Sequence, residues 1–478
     1  MHRRRETPPV APARTLAGLG VVALVLGAWR LTTASSVGDE TIYRDAATGM
    51  LTGDWSQNQQ HPPLAKELIA VFRTVLTPLG VPDLAADRLL GVVCFVLTGL
   101  LVAVLGRRYA GAWAGVGAAT LWWALPLAPG VLVQHVDRYA LLEGPTILFG
   151  VAAVLASVRL LDHPSAGRWA VTGAMVGLAT ASKLTGVLSA VAVVTAAGVL
   201  LAARQRRRPL PVVGSLVLAG VVSAVVFAAT YLPMGPTVAR QALTTVVEFQ
   251  LDHAADGHAM LVAGTVTASP PWWSSFYYQA AYLGWFGFAA LWTLTLLGAS
   301  RLVRRGDGVV LVATSTVMVL ALVASSLKLP HYHAALVPFL CVMAAVGLAS
   351  LLAVPRSVVR TGVAAVAVVL LAVPAVAGVV RTVGMQPQDY DAAAQALDDA
   401  GLASGPVVVW GDSRAARVAL PQATVATTPE PACDVPALLT DDTIVPRLDV
   451  DLPAWRQRCG DAYRAYEFQR VTLWLRSD

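Results

Sequence analysis

The chain has 478 residues, 56% of them hydrophobic and 13% charged, with a mean hydropathy of +0.63. A soluble chain carries about 25% charged residues, so half that share excludes an ordinary soluble protein and points to the membrane. The net charge of +6 does not imply a nucleic-acid partner, because the arginines fall in short loops between apolar runs.

The tail from Met1 to Arg14 is basic and proline-rich. It reads as a cytoplasmic tail before a retained membrane helix, since no small-residue cleavage site of convincing form follows. Apolar runs of roughly 18–25 residues signal membrane helices. Eleven such runs lie near 15–34, 88–105, 112–132, 139–160, 168–182, 184–203, 210–232, 279–300, 308–327, 333–354 and 361–382. Lys183 interrupts the pair at 168–182 and 184–203, where a short or re-entrant segment is the alternative to two spans. Every second loop is basic: Arg107 and Arg108, Arg159 and Arg168, Arg204 to Arg208, Arg301 to Arg305, and Arg356 with Arg360. By the positive-inside bias the N-terminus is then cytoplasmic, and an odd helix count puts the C-terminus outside. The loop 32–87, the loop 234–278 and the region 384–478 fall on that outer face.

The stretch from Gly38 to Lys66 follows the first span directly. Two adjacent carboxylates, Asp39 and Glu40, leave the membrane there, which is costly unless they face water, a cavity or a partner. We expect an ordered loop on the membrane surface with both acids at a cavity mouth. The alternative is a helix cap plus a solvated acid.

Other candidates gather on the same face. Glu143 lies about one turn into an apolar helix, where an acid needs a partner, and Arg138 is the nearest one in sequence. The chain has three lysines, Lys66, Lys183 and Lys328, against 32 arginines, and all three fall at the outer face. A lysine is a compact point charge suited to phosphate, whereas arginine brings a planar fork. Snorkelling to headgroups is the bland alternative, but arginine would serve it equally well. His253 and His258 are five positions apart with Asp252 and Asp256 nearby, a pattern open to a divalent metal. The other reading is a surface loop with two hydrogen-bonding imidazoles. His331 and Tyr332 sit beside Lys328 and suit a headgroup, a metal or a structural role.

Region 384–478 is richer in Asp and Pro and reads as a small extracytoplasmic α/β domain, with a buried strand at Val407–Trp410. Cys433 and Cys459 can pair there if the domain is extracytoplasmic, whereas Cys94 and Cys341 lie inside apolar runs as packing residues. The expected fold is thus an all-α polytopic membrane domain, 1–383, with about eleven transmembrane helices, followed by that domain.

These residues resemble the GT-C superfamily of integral-membrane glycosyltransferases, and most of all family 39. That branch holds the protein O-mannosyltransferases, with the related bacterial transferase that moves aminoarabinose onto lipid A. Asp39-Glu40 resembles the paired acids of the family's first outer loop, and His61-Pro62-Pro63-Leu64 its Pro-Pro-Leu segment. Arg138-Tyr139-Ala140-Leu141-Leu142-Glu143 is similar to an Arg-Tyr-x-Leu-Leu-Asp pattern, with Glu in place of Asp. Ser182-Lys183-Leu184-Thr185 resembles a Leu-Thr-Lys segment, and Lys328-Leu329-Pro330-His331-Tyr332 a Lys-Leu-Pro-x-Tyr segment. The resemblance spans roughly residues 15–350 and does not reach the C-terminal domain.

The resemblance implies a polyprenyl-phosphate-linked sugar as donor and a protein, lipid or glycan hydroxyl as acceptor. A phosphate leaving group is stable as an anion and needs cations rather than a general acid. A positioned carboxylate takes the acceptor proton, and a single displacement inverts the anomeric centre. We therefore name Asp39 as base, Glu40 as acceptor-orienting, and Glu143 with Arg138 as supporting the base or holding the sugar. Tyr43, His61, Lys66, Arg138, Lys183, His253, His258, Lys328, His331 and Tyr332 are the candidate substrate-binding residues. This scheme requires no cofactor. A transporter would show an internal repeat and charges at mid-depth, and neither is evident. A non-enzymatic envelope scaffold would leave the three outer-face lysines unexplained.

Overall fold

The computed structural model describes residues 10–34, 36–125, 136–203, 210–256, 260–263, 265–353, 358–387, 389–428, 431–468 and 470–477. The chain opens with α1 (Val10–Ala28), then two short helices, α2 (Gly38–Leu51) and α3 (Leu64–Leu76). There follow α4 (Asp83–Ala110), α5 (Ala112–Ala124), α6 (Glu143–Asp162), α7 (Ala166–Ser182), α8 (Ala190–Ala203) and α9 (Leu210–Ala229). Next come α10 (Gly235–Asp256), the hairpin β1 (Met260–Val262) and β2 (Thr265–Thr267), and α11 (Ser274–Val303). The membrane domain closes with α12 (Val309–Ala324), α13 (Val337–Leu352) and α14 (Val358–Val383).

A helix stands at each of the eleven expected spans. Among the described residues seven helical stretches are long and apolar enough to cross a membrane, and α12 and α13 are shorter apolar helices. The chain is a multi-pass membrane protein. α7 stops where Lys183 adopts an extended backbone, φ −154° and ψ 138°. The chain resumes in 3₁₀ turns over Leu184–Ser189 before α8. The apolar stretch is therefore broken at the lysine.

Small residues let the helices approach closely, as expected where apolar burial gives no net drive between helices in lipid. A Cβ on Gly298 of α11 would lie 1.8 Å from the Met343 carbonyl oxygen of α13, and one on Gly347 would lie 2.1 Å from that of Leu294.

The C-terminal domain holds α15 (Asp389–Asp399), β3 (Pro406–Trp410), α16 (Ser413–Ala419), β4 (Thr424–Ala426), β5 (Ala437–Asp441), α17 (Leu452–Cys459), β6 (Tyr463–Phe468) and β7 (Val471–Arg476). The five strands form one mixed sheet in the order β4-β3-β5-β7-β6, with β3 parallel to β4 and β5 and the rest antiparallel. The expected strand is β3, buried at Val407 to Trp410. Cys433 and Cys459 are bonded, with Cα atoms 5.2 Å apart, and tie α17 to the segment before β5.

This domain packs on the same end of the bundle as α2. A Cβ on Gly38 would meet the Asp412 carboxylate at 2.6 Å. The Trp29 indole donates to the Val383 carbonyl (3.3 Å), and the Arg30 guanidinium donates to that of Met385. The segment that carries α2 and the C-terminal domain therefore share one side of the membrane.

Candidate active site

α2 begins directly after the first span, and its first turn carries Asp39 and Glu40, where the helix dipole favours acids. Neighbouring positions on a helix point about 100° apart and do not face each other. The two acids therefore go to different places.

Glu40 turns inward and is fully buried. The equally buried Arg88 of α4 grips it with two bonds, Nε to Oε1 and Nη2 to Oε2, both 2.7 Å. The Ala140 amide donates to Glu40 Oε1 at 2.8 Å. Arg88 Nη1 donates to the carbonyls of Leu31 (2.7 Å) and Ala34 (2.8 Å), and the guanidinium lies 5.1 Å from the centre of the Tyr139 ring. Glu40 is thus a strut joining the end of α1, α2, α4 and the entry to α6, and it lies outside the cavity lining. The acceptor-orienting role expected for Glu40 has no support in this position. Next to it, Asp87 takes Arg44 of α2 (2.7 Å) and Arg73 of α3 (Nε, 2.9 Å), pinning both surface helices to α4.

Asp39 is half-buried and opens onto a cavity of about 620 Å³. Tyr43, one turn on, shares its face and lines the same space. The His61 ring stands edge-on between Tyr43 (5.7 Å) and Phe249 of α10 (5.6 Å), and all three line the cavity.

Glu143 is the first residue of α6 and points into the cavity. Its partner is Lys183, not Arg138: Nζ to Oε1 is 2.5 Å, with His331 Nε2 at 3.5 Å. The Lys183 ammonium also sits 4.4 Å from the centre of the Tyr332 ring. Asp39, Tyr43, Glu143, Lys183 and Tyr332 line this one cavity. Glu143 Oε2 is buried with no hydrogen-bond partner among the described residues. Such an orphan is expensive unless a ligand or water satisfies it. Gly186, just past the lysine, leaves no room for a Cβ, which would meet the Ala179 carbonyl at 2.2 Å. The turn after Lys183 is folded tightly back on α7, and this fixes where the lysine points.

Arg138 instead donates to the carbonyls of Leu26 (2.8 Å), Trp29 and Arg30 at the end of α1. Lys66 is buried under its own loop, donating to Asn58 O (2.6 Å), Asn58 Oδ1 (3.3 Å) and His61 O (2.8 Å). Lys328 donates to the Pro270 carbonyl (3.2 Å) and to that of Ser325 just past α12. These three cations satisfy loop and helix-end carbonyls, as unpaired backbone acceptors demand, and none lines the cavity. His331 lies behind Glu143 rather than in the lining. His253 falls within α10, but its side chain, like all of His258, lies outside the described residues. Among the described residues no group of three metal-ligating side chains is present.

The remaining lining is polar at Thr146, Thr185, Gln250, Ser325 and Ser326. It is apolar at Ile147, Leu184, Leu188, Met318, Leu322 and Leu336. Arg88 was missed in the sequence, although an Asp-Arg pair opening an apolar run is a signal that both must find partners. Gln250 carries no such signal and enters only because α10 lies across the cavity.

Residues 60–232 match the family model described as dolichyl-phosphate-mannose-protein mannosyltransferase. That segment includes His61, Glu143 and Lys183 and starts after Asp39. No curated protein matches the chain by sequence. The structure of ArnT from Cupriavidus metallidurans bound to undecaprenyl phosphate is similar, with a TM-score of 0.59 and 14% identity over 96% of this chain and 97% of that one. The oligosaccharyltransferase AglB from Archaeoglobus fulgidus, in complex with an inhibitory peptide and a dolichol-phosphate, has a TM-score of 0.55 and 13% identity over 97% and 74%. The arabinosyltransferase EmbB from Mycobacterium smegmatis has a TM-score of 0.51 and 16% identity over 84% and 45%. With the matched segment and the architecture in agreement, the chain carries the GT-C fold of the membrane glycosyltransferases.

Proposed function

We propose that the chain is a membrane glycosyltransferase that moves a sugar from a polyprenyl-phosphate donor to an acceptor hydroxyl on the outer face. The observation that carries this reading is the cavity that Asp39 and the Glu143–Lys183 pair line together, with both polar and apolar side chains in its wall. The undecaprenyl phosphate and dolichol-phosphate held by two structural neighbours support a lipid-phosphate donor.

Lys183 is the cation in the described cavity lining and meets the donor phosphate, with Glu143 and the Tyr332 face holding it in place. The buried Glu143 Oε2 accepts a hydrogen bond from a sugar hydroxyl. Asp39 takes the acceptor proton as the acceptor oxygen forms its bond to C1. The bond from C1 to the phosphate oxygen breaks, and the electron pair leaves with the polyprenyl phosphate. One base and one displacement invert C1. The arginine alternation supports a cytoplasmic N-terminus and an outer C-terminal domain.

The test uses the full chain in detergent with a panel of undecaprenyl-phosphate-linked hexoses and pentoses. Release of undecaprenyl phosphate, dependent on an added acceptor and lost in Asp39→Asn, is the expected result. Failure to bind any donor of the panel would overturn the reading.

A further inference from the structure

A second cavity, of about 540 Å³, lies between α4, α6 and α7 at the end of the bundle away from the candidate active site. α6 starts at Glu143 in the first cavity and ends at Asp162 in the second, a rise of about 30 Å over its 20 residues. The two sites therefore lie at opposite membrane faces.

Ala152, Leu155, Ala156 and Arg159 fall at i, i+3, i+4 and i+7 of α6, and Arg168, Val171 and Met175 share one face of α7. The groove between them has an apolar floor kept open by two alanines. Both arginines stand at its one polar end, together with His163. Arg159, Arg168 and Val171 are exposed, so the groove is open along its side. The one acid in the lining, Asp162, is neutralised from outside by Arg108, which binds it at 2.6 and 2.8 Å and also reaches Asp307. Arg168 donates through Nη1 to the carbonyls of Arg159 (3.2 Å) and His163 (2.9 Å). The Arg159 guanidinium has no partner among the described residues. The polar end thus keeps a net positive charge at the depth where a lipid headgroup sits.

We propose that this groove binds an anionic phospholipid of the cytoplasmic leaflet, its phosphate between Arg159 and Arg168 and an acyl chain over Ala152 and Ala156. The charge favours an anion, and the apolar stripe that continues from it into the bundle favours a lipid over a soluble phosphate. The cytoplasmic assignment rests on the arginine alternation. The groove and its ligand class do not depend on the proposed transferase activity.

The test is native mass spectrometry of the delipidated full chain with equal amounts of phosphatidylglycerol and phosphatidylcholine of matched acyl chains. Phosphatidylglycerol should be retained in preference. Arg159→Ala should lower its retention roughly fivefold. Ala156→Leu, which fills the floor and leaves both arginines, should lower it too, and so separates this groove from diffuse attraction to other basic loops. Inorganic phosphate should not displace the lipid. Equal retention of the two lipids, an unchanged Ala156→Leu, or full displacement by phosphate would each overturn the proposal. Arg168 also holds carbonyls at the end of α6, so the decision rests on Arg159→Ala and Ala156→Leu.

Discussion

Asp39 and Glu40 are neighbours in sequence, yet their substitutions should fail in different ways. Glu40→Gln keeps the shape of the side chain and removes its charge. It leaves Arg88, which is fully buried, without its ionic partner. Breaking one side of a buried pair costs about 3–5 kcal/mol, because the remaining charge stays desolvated. That is a large part of the ~5–15 kcal/mol that holds a typical domain together. The free cysteines Cys94 and Cys341 are buried, so a thiol-reactive fluorophore reads unfolding of the bundle directly on heating in detergent. Glu40→Gln should label at a distinctly lower temperature, and Asp39→Asn close to the native one. A Glu40→Gln protein as stable as the native chain would refute the strut.

Asp39→Asn should reduce transfer roughly 10²–10⁴-fold while donor retention changes little, as measured by release of undecaprenyl phosphate and by co-purified lipid. Near-full transfer would remove Asp39 as the base. Lys183→Ala should weaken donor retention as well as turnover, because a phosphate contact acts in both ground and transition states. A variant that slows turnover alone would take Lys183 off the phosphate. Replacing Cys433 and Cys459 together by Ser should destabilise the C-terminal domain by about 3–4 kcal/mol on a loop-closure model, read as earlier proteolysis of that domain alone. A reporter active only in the cytoplasm, fused after Asp478, should stay silent.

Much of the architecture is legible in one dimension. The helices at the expected spans and the strand at Pro406–Trp410 follow from hydropathy and period, which are local properties of the chain. The place of Asp39 just after the first span was equally visible, because it is set by position along the chain. What each charged group does was not visible. Lys66, Lys183 and Lys328 lie at the same face, but two are spent on carbonyls and one enters the cavity. Glu143 has Arg138 five residues away, yet pairs with Lys183 forty residues on. Glu40 was separated from Asp39 by Arg88, 48 residues later, at the start of another helix. Hydropathy and spacing assign a residue to a depth, whereas a buried charge goes to whichever partner satisfies it, and that partner is brought near only when distant helices pack.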